Sequence, residues 1–383
     1  MAEAVIDLDA IAHNTALLAD RSGVPVMAVV KADGFGHGLV PVARTALAHG
    51  ATWLGVATCG EALALRAAGI EAPILSWLHG AGEDFGPVIA AGVDLSVASP
   101  AHLRAVAAAA RRIGAVAGVH LKVDTGMGRG GAAFSDWPDL LAWARKLAAA
   151  GLVEIRAVWS HLACADEPGH PSVPRQLALY TEALAAARAA GLDPPLRHVA
   201  NSSATLDLPE AHYDLVRPGI ALYGVEPTPG LDHGLRFAMT LRAQAIMTKR
   251  VPAGTPVSYH HRYVTVRDGT LVLVPVGYAD GAPGRVGEGG EVWIKGVRCP
   301  IAGVVSMDQF VVDARDVPVG IGDEVVLFGT GERGEPTVVD WARWAGTNPH
   351  EILTGIGNRV VRSYLPVRST RSTGSTGREP TGG

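Results

Sequence analysis

Val26-Met27-Ala28-Val29-Val30-Lys31-Ala32-Asp33-Gly34-Phe35-Gly36-His37-Gly38 is an apolar run, opened by Pro25, that ends abruptly on an amine. Five consecutive apolar residues, two of the last three β-branched, read as a strand over 26–30 that is covered on both faces. Lys31 then stands at the strand's C-terminal end. The glycines beyond it permit a sharp turn before a helical pattern resumes over 38–48, and in α/β proteins such junctions carry the chemistry. A lysine emerging from apolar surroundings loses proton affinity, and its free amine becomes a nucleophile for a carbonyl. Taken alone, the same lysine also fits a plain exit from the strand into solvent.

Working outward, short apolar runs alternate with Ala-, Leu- and Arg-rich helical segments up to about Gly224, the pattern of repeated βα units. Strands are expected over 26–30, 53–57, 73–75, 94–97, 118–123, 155–160, 197–200 and 214–216. Helices are expected over 38–48, 61–68, 100–112 and 176–190. Eight parallel strands in this length argue for an α/β fold with an N-terminal (β/α)₈ TIM barrel, whose active site lies at the strand C-termini. Beyond Leu235 helices nearly vanish, and β-rich stretches at 270–276, 291–294, 310–312 and 324–328 indicate a second, mostly β domain with one short helix over 338–345. The expected division is a barrel over 1–234, a β domain over 235–367, and a Ser/Thr/Gly/Arg-rich tail over 368–383 too polar to order itself.

Composition narrows the function classes. Hydrophobic content of 48 % with 18 % charged residues describes a compact globular enzyme rather than a disordered or fibrous chain. Thirty-three basic against 37 acidic side chains leave a net charge of −4, so no broad basic field invites nucleic acid, and small zwitterionic ligands stay open. Three scattered cysteines suit a reducing cytoplasm and form neither a disulfide framework nor a zinc site. No signal peptide is visible, and no run reaches the roughly 20 apolar residues of a membrane helix.

Polar residues collect at the predicted strand ends. Asn201-Ser202-Ser203 opens a helical stretch, and Arg217-Pro218-Gly219-Ile220 follows the last strand; in barrels this is a usual phosphate position. A phosphate cradle opposite a lysine suggests pyridoxal 5′-phosphate, whereas each motif alone also reads as a helix cap or a turn. Arg129, in the glycine-rich loop Asp124-Thr125-Gly126-Met127-Gly128-Arg129, suits a substrate carboxylate, and Arg217 suits the cofactor ring or a carboxylate; each alone also suits a surface ion pair. His161 reads as an acid or base, or equally as a satisfied buried histidine. Tyr259 and Tyr278, beside polar turns, read as core residues or as phenols for proton transfer.

With these pieces assembled the chain resembles the alanine racemases, fold type III pyridoxal phosphate enzymes. The resemblance rests on Val29 to Asp33, Lys122 to Arg129, Ser160 to Ala163, Ala200 to Ser202, Arg217 to Ile220, Ser258-Tyr259, Gly277 to Gly281 and Met307 to Gln309, in the family's order. It implies that Lys31 holds the cofactor and exchanges a proton on the face leading to the D-enantiomer, while Tyr259 from a partner subunit serves the other face. It further implies that Arg217, supported by His161, contacts the pyridine nitrogen. Asn201, Ser202, Gly219 and Ile220 would hold the phosphate end, and Arg129, Met307 and Tyr278 would bind substrate. Lys122 would be carbamylated and position Arg129. The implied enzyme is a homodimeric, cytoplasmic isomerase that supplies D-alanine for peptidoglycan.

Several positions depart from the family pattern. Phe35 stands where tyrosine is usual, removing one hydroxyl contact to the phosphate. Asn358 lacks a tyrosine that some members have, Arg285 is displaced by one residue, Val304 replaces an arginine, and His260 replaces a glycine. A racemase of broader or different range, for example acting on serine, and a decarboxylase of the same fold type are the competing readings.

Overall fold

The computed structural model describes residues 2–368. The strands run β1 (Glu3–Asp7), β2 (Val26–Val29), β3 (Ala51–Val56), β4 (Ile74–Ser76), β5 (Asp94–Val97), β6 (Ala117–Lys122), β7 (Val153–Trp159) and β8 (Leu196–His198). In the second half they are β9 (Met239–Gln244), β10 (Met247–Val251), β11 (Pro256–Val257), β12 (Tyr263–Val264), β13 (Gly269–Val274), β14 (Glu291–Ile294), β15 (Val297–Pro300), β16 (Phe310–Arg315), β17 (Glu324–Phe328) and β18 (Val361–Leu365).

Strands β2 to β8 form one parallel sheet in sequence order. All four residues of β2 are buried, as its unbroken apolar run requires. Helices such as Leu39–Ala48, Cys59–Ala67, Pro100–Ile113 and Ser172–Ala189 cover the outside. Seven regular strands stand where eight were expected. The eighth run, 214–216, makes a single bridge from Val216 to Val26, yet it still closes the curled sheet. Met27 donates to the Val216 carbonyl at 2.8 Å on one side, while Asp214 donates to Arg197 at 3.1 Å and Arg217 to Ala200 at 3.0 Å on the other. Pro218 has no N–H with which to extend that ladder, so the closing segment stays irregular. The Asp214 carboxylate reinforces it by accepting from the Arg197 backbone, Nε and Nη2 at 2.8, 2.6 and 2.8 Å.

The second half builds a six-stranded sheet in the order β15-β14-β17-β9-β1-β18, a three-stranded sheet β10-β13-β16, and the short pair β11-β12. Strand β1 was not expected. It pairs antiparallel with β9 and parallel with β18, so the first residues of the chain enter the second sheet before α-helix Leu8–Ser22 begins the barrel. The short helix Val338–Ala345 appears with its expected bounds. The tail expectation over 369–383 lies outside the described residues; Arg368 itself donates its amide to Asp9 at 3.0 Å.

Candidate active site

Lys31 leaves β2 into a turn that winds the wrong way for L-residues. Ala32, Asp33, Gly34 and Phe35 all have φ between 53 and 60°, a conformation costing about 1–2 kcal/mol for each residue with a Cβ. The surroundings over-determine it. Asp33 Oδ1 accepts the Leu39 amide at 2.8 Å, and the His37 ring sits 2.9 Å from the Phe35 carbonyl. Phe35 stacks on Tyr223 with centroids 4.6 Å apart, and a Cβ at Gly36 would run into the Leu353 carbonyl. Helix Pro349–Gly355 of the second half therefore presses directly on the lysine's turn.

The Lys31 amine lies 5.9 Å from the Trp77 ring centroid. Burial, aided by the Arg129 guanidinium, pushes its proton affinity down. Lys122, on the last residue of β6, sits over Trp159 at 4.4 Å, and burial beside Arg217 and Arg129 lowers its pKa to about 8. His161 is held well below the ordinary imidazole value by burial and by Arg217. Arg129 rides on a loop tied down by Asp124 Oδ1, which accepts from Gly126, Met127 and Gly128. Lys31, Lys122, Arg129, His161 and Arg217 are thus brought together on one rim.

Arg217 is nearly enclosed, and burial lowers its pKa to about 10, so the guanidinium remains charged at neutral pH. It donates to the Ser160 carbonyl at 2.8 Å, to His161 Nδ1 at 3.2 Å and to His198 Nδ1 at 2.9 Å. His198 continues to His120 at 3.0 Å, and His120 reaches Asp94 at 3.1 Å. This buried polar line runs through the barrel interior from the rim to Arg156, which pairs with Asp94 at 3.3 Å. The sequence reading missed Asp94, His120 and His198. The available signal was the presence of titratable side chains inside runs otherwise read as buried strand.

At the seventh and eighth strand ends, Ser202 Oγ accepts from the Gly219 amide at 2.9 Å and from Ala221 at 3.3 Å. Ile220 opens a 3₁₀ turn, Ile220–Tyr223, whose first amides have no acceptor within the turn. Asn201 spends its side-chain oxygen on the Ala204 amide at 3.1 Å, capping helix Ser202–Asp207. A Cβ on Gly219 would lie 3.1 Å from Phe35 Cζ, so the backbone here packs closely against the Phe35 ring.

Tyr259, Tyr278 and Met307 do not join this group within the chain; they are 67, 53 and 54 % exposed. They do share one surface. Tyr278 donates its amide to Ser306 and Ala279 to Met307, while Ser258 Oγ donates to the Val304 carbonyl. Arg359 ties Asp280 to Asp308 in the same region.

Family profiles match nearly the whole chain: "Alanine racemase, N-terminal domain" over residues 6–227 and "Alanine racemase, C-terminal domain" over 238–364. An alanine racemase of Frankia casuarinae is 55 % identical over 367 residues, covering 94 % of this chain and 96 % of that one. Among solved structures, the alanine racemase of Streptomyces lavendulae superposes with a TM-score of 0.93 at 50 % identity, covering 95 and 97 % of the two chains. An alanine racemase from Bacillus anthracis with bound L-Ala-P gives 0.87 at 35 % identity, covering 95 % of each chain. One from Bartonella henselae with covalently bound pyridoxal phosphate gives 0.85 at 31 %, covering 95 and 99 %. The βα succession, the rim residues and these matches along both halves agree: the chain belongs to the alanine racemase family.

Proposed function

We propose that this chain interconverts L- and D-alanine with pyridoxal 5′-phosphate carried covalently on Lys31. The observation that carries the reading is an amine with depressed proton affinity at the C-terminal end of one strand, with the Ser202 hydroxyl and the Gly219 amide paired at the seventh and eighth strand ends. The residues suit that group: Ser202, Gly219 and Ile220 would hold its phosphate with a hydroxyl and amides, and Arg217 would contact its ring. Asn201 acts by shaping the Ser202 turn. Bound there, the cofactor supplies an electron-accepting ring that acidifies the Cα proton of an amino acid.

The chain's own groups then do the rest. Arg129, with no side-chain hydrogen bond among the described residues, grips the substrate carboxylate together with the Met307 backbone. Lys31 moves the Cα proton on one face, and Tyr259 of the partner subunit moves it on the other; Tyr278 borders the substrate. Arg217 keeps its own proton, so it would donate a hydrogen bond to a ring nitrogen without protonating it fully, which would restrain side reactions. The Arg217–His161 contact needs an acceptor at Nδ1, consistent with a neutral His161. A carbamate on Lys122, favoured by its lowered pKa, would offset the crowd of cations and position Arg129.

The exposed Tyr259–Met307 surface supports a homodimer with shared sites. Free cysteines at 59, 164 and 299 support a cytoplasmic setting. Among the described residues no helix is long and apolar enough to cross a membrane. Supply of D-alanine to peptidoglycan is the corresponding role. Deuterium exchange at Cα of each alanine enantiomer, with serine and larger amino acids alongside, tests the reading. Exchange and inversion of alanine support it; carbon dioxide release without inversion would replace it with decarboxylation.

A further inference from the structure

Helix Cys59–Ala67 begins with a reciprocal cap in which Thr58 accepts the Glu61 amide at 3.2 Å. The Glu61 carboxylate returns to its own loop through one oxygen only: Oε2 accepts from Thr58 at 3.0 Å and from Ala57 at 2.9 Å. The cap is complete with that oxygen. Oε1 instead crosses to the neighbouring βα unit and accepts the amide of Ala32, the residue after Lys31, at 2.6 Å.

The Ala32 amide is where the reversed turn starts. The first backbone bond of that turn comes from Gly34 to Val30, at 2.8 Å, which leaves Ala32 without a main-chain acceptor. Asp33 and His37 tie down the far end of the same turn from within it. Glu61 ties the end that carries the amine, and it does so from a different strand.

We propose that Glu61 is a positioning residue for Lys31, clamping the strained turn at its first peptide and setting the electrostatic field at the amine. The inference rests on the reading of Lys31 as the cofactor lysine. Around that amine the loop after β6 supplies Arg129, β6 supplies Lys122, the β7 end supplies His161 and helix Pro349–Gly355 supplies His350. Against these the Glu61 carboxylate acts in the opposite sense, favouring the protonated amine. A glutamine has only one acceptor oxygen, and its NH₂ cannot accept an amide hydrogen, so Glu61→Gln must give up either the Ala32 bond or the cap, and the charge in both cases.

The test compares full-length wild type, Glu61→Gln and Thr58→Ala, the last weakening the cap without touching the Ala32 bond. Racemisation is measured in both directions. The proton affinity of Lys31 is read separately, with cofactor removed, from the pH dependence of its competitive acetylation by mass spectrometry. In Glu61→Gln, kcat should fall about tenfold in both directions with alanine KM little changed, and the Lys31 acetylation profile should move to lower pH. Thr58→Ala should move neither. A Glu61→Gln enzyme with unaltered kcat and an unaltered profile would overturn the proposal and leave Glu61 as a helix cap.

Should Glu61→Gln not accumulate folded, exchange of the Ala32 amide in the wild type decides. Strong protection of that amide at neutral pH, relative to its intrinsic exchange rate, supports the clamp; exchange at the intrinsic rate overturns it. Because acetylation is read without cofactor, failure here is distinct from failure of the Lys31 reading, which would appear as reductive trapping of the cofactor on another lysine.

Discussion

Arg217 donates to Nδ1 of His198 at 2.9 Å, and this bond fixes the tautomers of two buried imidazoles. An arginine can only donate, so His198 must accept at Nδ1 and carry its hydrogen at Nε2. His120 then accepts at Nδ1 and donates from Nε2 to Asp94. The line has one direction, from guanidinium to carboxylate, and it holds a charged group deep in the barrel by satisfying its donors.

Replacing His198 with leucine would remove the acceptor and leave a buried guanidinium N–H unpaired. The expected loss is about 1–3 kcal/mol of folding stability, read as a lower urea midpoint. An unchanged midpoint would show that Arg217 does not depend on this line.

Phe35 Cζ lies beside Gly219, so a hydroxyl added there would stand next to the backbone proposed to hold the phosphate. Phe35→Tyr should tighten cofactor binding about fivefold, the equivalent of one net hydrogen bond of roughly 1 kcal/mol. Equilibrium dialysis of the cofactor measures it, and equal affinity would separate residue 35 from the phosphate.

Asp214 accepts three bonds from Arg197 across the barrel's irregular closure, and these hold its carboxyl below the ordinary carboxylate value. A lowered folded pKa means the stabilisation is fully present above the unfolded pKa of about 3.9. It is lost as pH falls through the folded value. Asp214→Asn should therefore be less stable by about 1–3 kcal/mol at pH 7, with the gap closing in acid below about pH 4. A gap that is independent of pH would assign the loss to packing instead.

Tyr259 is two-thirds exposed in the single chain, which suits a group destined for a partner's site. Tyr259→Phe should suppress abstraction from L-alanine by about a hundredfold while cofactor binding stays near wild type. Mixing Tyr259→Phe with Lys31→Ala chains should restore activity, because one of the two mixed sites is intact. No recovery on mixing, with dimers confirmed by sedimentation, would place both groups in one chain's site.

What the sequence made legible follows from which signals are local. The apolar run ending at Lys31 and the strands Glu291–Ile294 and Glu324–Phe328 each declare themselves within a few residues. Strand β1 was hidden because its partners lie at 239–242 and 361–365, and nothing in five residues signals pairing over such separations. The reversed turn was legible only as glycine-rich flexibility. Left-handed φ at Ala32, Asp33 and Phe35 opposes local preference and exists because Glu61, Tyr223 and Leu353 impose it. On the rim, Lys31, Lys122, Arg129, His161 and Arg217 were found by their position after strands. His120, His198 and Glu61 were not, because two lie inside strands and the third resembles an ordinary cap.

Reductive trapping tests the central claim most directly: the enzyme loaded with pyridoxal phosphate is treated with borohydride, digested and mapped by mass spectrometry. The expected result is one modified peptide with the cofactor on Lys31, absent from Lys31→Ala, whose visible absorption band is also lost. Trapping on Lys122 or any other lysine, or a band that survives in Lys31→Ala, would contradict the assignment.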